Sequence, residues 1–269
     1  MSRWVKLQRE VRLSLGVDPT RTATGNSFAG SPRGDGLGPV VTLKVEVAGP
    51  IGPATGMLIN IRQIDELVRQ AVVSDFAYAA DIAVPLMLKQ MWARMKAQLA
   101  PVTLTGLEIS SSPWLQYRLT DGDTRMIELT ERFEFSAAHR LHSKDLTDAE
   151  NKATFGKCNN PHGHGHNYEL EVTLSGPTDA GGELISLQRL HDIVNQRVID
   201  RMDHKHLNIE VAEFGQLNPT VENIAAVIFK SLEDAFPPPV RLQRIRLWET
   251  PKTSCTVEAS EPVEKELVK

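Results

Sequence analysis

The chain has 269 residues, of which 41% are hydrophobic and 24% are charged, as is typical of a soluble globular protein with one or two domains. Its net charge of −4 gives no general reason to expect binding to nucleic acid or to a membrane surface. The N-terminus lacks the apolar core of a signal peptide, and no stretch approaches the roughly 20 apolar residues of a transmembrane helix. Two cysteines, Cys158 and Cys255, make no disulfide framework, so the cytoplasm is the expected compartment.

Four segments of the first half predict regular structure, in chain order. Leu43–Pro50 alternates with period two and ends in a Gly-Pro turn, as a half-buried strand does. Met57–Val68 reads as a short apolar strand that leads into a helix, and Met87–Leu99 reads as a second helix. Leu107–Trp114 is a strand that breaks at a proline. Before these segments, Gly16–Pro39 is rich in Gly, Ser, Thr and Pro, which predicts a long loop between the first two strands.

The second half repeats this order. Leu170–Pro177 again alternates and ends in Gly-Pro, and Glu183–Val194 again runs from a short strand into a helix. A helix at Val221–Phe236 and a strand at Ile245–Lys252 follow. The apolar faces of the two first helices also match; the four pairs are Ile61 with Leu187, Ile64 with Leu190, Leu67 with Ile193, and Val68 with Val194. We interpret the agreement as a tandem duplication, against the alternative of two generic patterns that coincide.

Each copy is therefore predicted to be an α+β unit of order ββααββ, with an antiparallel sheet. We place the two domains at residues 1–124 and 125–269. In the second copy the loop between the first two strands, from Arg140 to about Gly163, carries most of the chemically reactive residues. All eight histidines and both cysteines lie after residue 138, so the first domain has none of the usual soft metal ligands.

Three histidines predict a metal site. His139 ends a predicted strand, and His164 and His166 begin the next one, where residues two apart point to the same face. Three neutral imidazoles that leave a fourth position open are typical of a catalytic zinc site, and imidazole favours zinc over magnesium or calcium. The alternative is a histidine cluster on the surface of a Gly-rich loop.

Other polar residues allow more than one interpretation. Cys158 is a candidate fourth ligand, base or nucleophile, whereas Cys255 is expected to pack in a strand. Asp203 and His204 are adjacent and could form a proton relay. Glu249 ends a strand, where a carboxylate needs an ion-pair partner or the N–H groups of a ligand. The remaining histidines are weaker candidates: His191 is expected to be solvated on its helix, and His142, His162 and His206 lie in loop-like sequence.

These residues together resemble the 6-pyruvoyl-tetrahydropterin synthase family. The resemblance covers about residues 126–258. It rests on the stretch FSAAHRLHSKDLTDAENKATFGKCNNPHGHGHNYELEVTL and on the later motifs MDHKHLN, NPTVENIA and LWET. It implies the tunnelling fold, an antiparallel sheet with two helices on one face, which assembles into homo-oligomers with active sites between subunits.

The resemblance also implies a role for each candidate. His139, His164 and His166 would be the zinc ligands, Cys158 the general base, and Asp203 with His204 the proton relay. Glu249, helped by Thr220 and Glu222, would hold the amino and ring N–H groups of a pterin. The expected activity is that of a carbon–oxygen lyase that converts 7,8-dihydroneopterin triphosphate to 6-pyruvoyl-tetrahydropterin and releases triphosphate.

Two alternatives remain open from the sequence. A sister enzyme of queuosine synthesis, 6-carboxy-tetrahydropterin synthase, has its cysteine four residues before the first His of H-G-H, whereas the pyruvoyl enzymes have it six before. Cys158 satisfies both spacings, because His162 and His164 each begin an H-G-H. FGKCNNP favours the pyruvoyl branch and NPTVEN leans towards the other. The second alternative is a non-catalytic pterin- or zinc-binding scaffold, but such a protein needs none of the retained Cys158, Asp203 and His204.

The first domain departs from the family pattern throughout, and Ser111 stands where the second copy has Glu249. We expect it to be a degenerate copy that supplies strands and subunit interfaces.

Overall fold

The computed structural model describes residues 3–14, 40–76 and 83–259, and the predicted loop Gly16–Pro39 lies outside them. None of the helices in these ranges is long and apolar enough to span a membrane. The chain forms two compact units. The first comprises Met1–Thr130 with Gly176–Leu184, and the second comprises Glu131–Ser175 with Ile185–Lys269.

The first unit has the predicted order of two strands, two helices and two strands. Its sheet order is β1-β2-β3-β4, with every neighbouring pair antiparallel. The elements are β1 Trp4–Ser14, β2 Val40–Pro50, α1 Ile61–Phe76, α2 Val84–Gln98, β3 Thr103–Ser110 and β4 Leu115–Thr120.

The second unit has the same order with additions between its strands. Its sheet order is β5-β6-β8-β9, and the short β7 runs parallel beside β5. The elements are β5 Met126–His139, α3 Asp148–Phe155, β6 His164–Pro177, α4 Leu187–Val194, α5 Asp200–Met202, β7 Lys205–His206, α6 Leu207–Glu210, α7 Val221–Leu232, β8 Arg241–Thr250 and β9 Thr253–Glu258. A turn of π-helix, Asn195–Ile199, joins α4 to α5.

The two units share details that the ββααββ order alone does not require. In the first, Leu43 pairs with Ile109, and the register shifts between Glu46 and Val47. In the second, Leu170 pairs with Leu247, and the register shifts at the matching point between Thr173 and Leu174. A β-bulge at the same place in the same pair of strands is a specific feature of a fold. The expectation of an antiparallel ββααββ fold in two tandem copies is confirmed.

The core of each unit lies between one face of its sheet and its helices. Alternate residues of β2 and β6 are buried, as period two requires when only one face is covered; they are Leu43, Val45 and Val47 in β2, and Leu170, Val172 and Leu174 in β6. Ile64 and Val68 of α1 and Leu190 and Val194 of α4 are buried, in agreement with the predicted helix faces.

Each unit also joins its first strand to its first helix through a polar pair. Arg9 donates two hydrogen bonds to Asp65, at 2.7 and 2.8 Å. In the second unit His191 Nε2 lies 2.7 Å from Oε1 of the buried Glu131. The side chain of His191 is 44% exposed, in line with the expectation that it is solvated, but a carboxylate on the strand beneath it supplies a partner that helix periodicity cannot show.

Candidate metal centre and active site

Two neighbouring strands bring three histidines together. His139 is the last residue of β5 and is fully buried, and β6 begins at His164. His164 and His166 share one face of β6 because they are two residues apart. One nitrogen of each of the three rings lies within 4.8 Å of the other two. Among the described residues, this is the group of His, Cys, Asp and Glu side chains arranged to hold a metal ion.

Gly163 makes the close approach of these histidines possible. Its φ of +74° lies in the left-handed region that favours glycine. A Cβ at this position would lie 2.8 Å from Nε2 of His206 and 3.1 Å from the carbonyl oxygen of His139. No larger residue fits there without displacing the backbone beside His139.

A hydrogen bond fixes the tautomer of His139. Its Nδ1 lies 2.7 Å from the carbonyl oxygen of Pro219, which can only accept, so Nδ1 carries the proton. Nε2 of the neutral ring is then a lone pair, and it lies 3.1 Å from Nε2 of His164 and 3.5 Å from Oε1 of Glu249. Orientation of a ligating imidazole by a backbone carbonyl is typical of metal sites.

Burial favours the neutral form of two of these rings, His139 and His164. Burial lowers the pKa of His139 to about 4, against the opposing effect of the hydrogen bond to Pro219. Burial and then the neighbouring His166 lower the pKa of His164. Neutral imidazole is the form that binds metal, so His139 and His164 are ready to act as ligands at neutral pH.

The separation of two of the donor nitrogens fits a tetrahedral metal ion. Two nitrogens at about 2.0–2.1 Å from one tetrahedral ion lie roughly 3.3–3.4 Å apart, and the separation between His139 and His164 is 3.1 Å. Within the described parts of the chain, Nε2 of His166 is buried and has no hydrogen-bond partner. A cation between the three rings would satisfy this atom and the converging lone pairs at once.

Asparagine side chains hold the loop that follows His139. Asn208 accepts a bond from the backbone N–H of Arg140 at 2.8 Å and donates to the carbonyl of Arg140 at 2.9 Å. Asn218 accepts from the N–H of His142 at 3.0 Å, and Asn159 donates to the carbonyl of Leu141 at 2.7 Å.

Further along the same loop, Asn151 is fully buried. It accepts from the N–H of Ser143 and donates to the carbonyls of Ser143, Leu146 and Thr147. The segment predicted as irregular is thus an ordered excursion that contains α3 and a turn of 3₁₀ helix, Gly156–Asn159.

Cys158 lies in that 3₁₀ turn and is partly exposed. Its carbonyl accepts a bond from the N–H of Leu141 at 2.9 Å, which ties the turn to the backbone two residues after His139. Cys158 does not belong to the group of candidate ligands in the described residues.

Asp203 and His204 are attached to the strand that carries His139. The N–H of Ser136 donates to Oδ1 of Asp203 at 2.8 Å, and the N–H of His204 donates to the carbonyl of Ser136 at 2.6 Å. Oδ2 of Asp203 lies 2.7 Å from Nδ1 of the exposed His204 ring. The bond from Ser136 and then that from His204 lower the pKa of Asp203. His204 has a φ of 56°, a left-handed conformation that is uncommon outside glycine and often marks functional positions.

The candidate pterin-binding residues occupy two places. Glu249, near the end of β8, is largely buried, with Oε1 3.5 Å from Nε2 of His139 and 3.9 Å from Nε2 of His166. Thr220 is the N-cap of α7, where its side chain accepts from the N–H of Asn223, and Glu222 is exposed in the first turn of that helix. Among the described residues, no hydrogen bond joins Thr220 or Glu222 to Glu249.

Two residues beside the histidines had no role in the sequence analysis. Tyr168 is fully buried, and its ring contacts those of His139 and His166. Burial and then Glu249 raise the pKa of Tyr168. His206 packs against Gly163. Period two placed Tyr168 on the same face as the histidines, so that signal was present in the sequence.

The second half of the chain is similar to proteins of known family. The sequence profile described as 6-pyruvoyl tetrahydropterin synthase matches residues 128–260. The 6-pyruvoyl tetrahydrobiopterin synthase of Homo sapiens is 40% identical over 134 residues, which cover 49% of this chain and 92% of the human protein. The solved structure of Caenorhabditis elegans 6-pyruvoyl tetrahydropterin synthase has 41% sequence identity and a TM-score of 0.48, and the match covers 50% of this chain and 96% of that one. The 6-carboxy-5,6,7,8-tetrahydropterin synthase of Haemophilus influenzae is more distant, at 30% identity over 48% of this chain and 97% of its own length.

The fold and the site define a chain with a candidate three-histidine metal centre on an antiparallel ββααββ unit. The relatives described above match this second unit. The chain belongs to the 6-pyruvoyl tetrahydropterin synthase family.

Proposed function

We propose that the second unit catalyses the zinc-dependent conversion of 7,8-dihydroneopterin triphosphate to 6-pyruvoyl-tetrahydropterin, with elimination of triphosphate. The observation that carries this proposal is the convergence of one nitrogen from each of His139, His164 and His166 beside the carboxylate of Glu249. The high identity to enzymes named for the pyruvoyl product supports the same reaction.

Zinc suits this site because all three donors are imidazole nitrogens, and three protein ligands leave a position open for substrate. When bound, the ion supplies Lewis-acid polarisation of the hydroxyl groups on the substrate side chain. The hydrogen bond from His139 to Pro219 holds the first ligand in its metal-binding tautomer.

Two groups in the chain would move protons. Cys158 would act as the general base that removes a proton from a side-chain carbon of the pterin. The bonds of Arg140, Leu141 and Asn159 hold the Cys158 turn in place. Asp203 would orient the His204 ring through Nδ1, so that Nε2 can deliver or accept the second proton.

The carboxylate of Glu249 would fix the pterin ring by accepting hydrogen bonds from its amino and ring N–H groups. A carboxylate has two oxygens and can accept from two such donors together. Thr220 and Glu222 would assist from the start of α7. In this proposal, the active protein is a homo-oligomer, and a neighbouring subunit completes each site.

The role proposed for the first domain, residues 1–124, is that of a degenerate copy without metal or catalytic residues. It would supply strands and interfaces to the assembly formed by the catalytic domain, residues 125–269. A separately expressed second domain that is soluble, correctly assembled and fully active would exclude this role.

One observation favours a second candidate. The spacing of Cys158 before His162-Gly163-His164 also fits the carboxy-producing enzymes of queuosine synthesis. Incubation of the zinc-loaded protein with dihydroneopterin triphosphate, followed by mass spectrometry, separates the two, and a Cys158→Ala variant is the control. A pyruvoyl product that the variant does not form supports the first proposal. A carboxy product with acetaldehyde supports the second. Unchanged substrate in the presence of bound zinc would leave a pterin- or zinc-binding scaffold.

A further inference from the structure

The ring of Tyr168 is buried beside the candidate metal ligands. Its ring stacks on Phe135, with centroids 4.9 Å apart and an angle of 12° between the planes. Its edge-to-face contacts with His139 and His166, at 6.3 and 5.6 Å, place it directly behind two of the three candidate ligands. The residue is fully buried.

The hydroxyl oxygen of Tyr168 has no hydrogen-bond partner within the ranges that the structure describes. Nearly all buried hydroxyl groups in folded proteins have a partner, and a phenylalanine would fill the same space without this cost. A buried donor without a partner beside an active site therefore points to a partner that forms in another state of the protein.

The register of the sheet identifies that partner. Glu169 pairs with Trp248 and Leu170 pairs with Leu247. One step further along, Tyr168 lies across from Glu249, and such side chains have Cβ atoms about 4.5–5.5 Å apart. Glu249 reaches the same two imidazoles that Tyr168 contacts from behind.

We propose that Tyr168 is a positioning residue whose hydroxyl donates a hydrogen bond to the carboxylate of Glu249 when a pterin occupies the site. The inference rests on the proposed function and extends it to a residue that contacts neither metal nor substrate. Oε1 of Glu249 lies 3.5 Å from Nε2 of His139 and 3.9 Å from Nε2 of His166. When the carboxylate of Glu249 accepts bonds from the pterin N–H groups, the hydroxyl of Tyr168 donates to a remaining lone pair of that carboxylate. This bond sets the angle at which the carboxylate meets the pterin ring.

The test compares Tyr168→Phe with Tyr117→Phe, which removes a hydroxyl from β4 of the first unit. The probe is neopterin, a fluorescent ligand without the triphosphate, titrated into zinc-loaded protein. Zinc affinity and the melting temperature of each variant are measured in parallel. We expect Tyr168→Phe to weaken neopterin binding about tenfold, because a hydrogen bond to a charged group is lost. Its zinc affinity is expected to match that of the wild type, and its ligand-free melting temperature to be unchanged or higher. Tyr117→Phe is expected to leave the affinities for neopterin and for zinc unchanged.

Each other outcome has one meaning. Unchanged neopterin affinity in Tyr168→Phe overturns the inference but leaves the proposed function standing. An equal loss of zinc affinity also overturns it, because Tyr168 would then act through the histidines. A clear fall in the ligand-free melting temperature would show that the hydroxyl already has a structural partner, with the same consequence. A wild-type protein that binds zinc but not neopterin refutes the proposed function, and this inference with it.

Discussion

Replacement of Asn151 by alanine should loosen the loop that follows His139 and leave the candidate metal ligands in place. Asn151 is fully buried, and its amide group binds the loop at Ser143, Leu146 and Thr147. The loop continues through α3 to Cys158, whereas the three candidate ligands lie on β5 and β6. The variant should therefore loosen the position of Cys158 and leave the histidines in place.

The contacts of Asn151 set the size of the effect. The side chain accepts one bond and shares its two N–H groups among three carbonyls. A neutral hydrogen bond contributes about 0.5–1.5 kcal/mol net, and a buried group left without a partner costs about 1–3 kcal/mol. Partial hydration of the loop offsets some of this, which leaves an expected loss of about 2–4 kcal/mol of local stability. Because about 1.4 kcal/mol corresponds to tenfold, amide hydrogens in the loop should exchange roughly 30- to 1,000-fold faster.

Hydrogen–deuterium exchange followed by mass spectrometry measures this change peptide by peptide. We expect faster exchange over residues 143–159, a lower kcat and an unchanged zinc affinity. The matched control is Asn195→Ala, which removes an exposed amide between α4 and α5 and should change none of these. Normal exchange in the loop of Asn151→Ala, or loss of zinc together with activity, would refute the reasoning.

Three further predictions follow from single contacts. Gly163→Ala should lower zinc affinity at least tenfold, because its Cβ meets His206 and the backbone of His139; Gly156→Ala, at a similar φ but in open space, should leave it unchanged when both are titrated with zinc. Arg9→Ala should lower the free energy of unfolding, measured in urea, by about 3–5 kcal/mol, because it leaves the nearly buried carboxylate of Asp65 unpaired. An equal loss from Arg62→Ala, which breaks an exposed ion pair, would show that burial does not matter. The pKa of Asp203 is lowered by a backbone N–H and then by the neighbouring imidazole, so its stabilising effect is present above the unfolded pKa of about 3.9 and disappears as pH falls through the folded value. Asp203→Asn should therefore lower the melting temperature at pH 6–8 and converge with the wild type below about pH 4; a difference that does not change with pH would contradict this.

Much of this architecture could be predicted because it depends on periodicity. The exact ends of β5 at His139 and the start of β6 at His164 follow from alternating residues and the Gly-rich turn between them. The matching apolar faces of α1 and α4 indicate the duplication from the amino-acid sequence alone, since equivalent helices need equivalent faces to cover equivalent sheets. The three histidines follow for the same reason, because strand geometry places residues two apart on one face.

The parts that could not be predicted depend on contacts between residues distant in sequence. The bond from His139 to Pro219 spans 80 residues, and that from Arg140 to Asn208 spans 68. No local pattern encodes either contact. The loop after His139 has an irregular sequence pattern because its order comes from asparagine side chains that bind backbone groups. The partner of His191 is equally hidden, because it lies 60 residues earlier on a strand.

The polar pairs under the first helices bear on how two similar copies fold within one chain. Asp65 and His191 follow the equivalent residues Ile64 and Leu190, but the carboxylate changes place between the copies. It lies on the helix in the first unit and on the strand in the second. Tandem homologous domains are prone to misfold by exchanging equivalent elements. If α1 packed on β5, Asp65 would face Glu131, and if α4 packed on β1, His191 would face Arg9. The two pairs therefore favour the packing of each helix on its own sheet, because an exchange would place two carboxylates together and lose both hydrogen-bonded pairs.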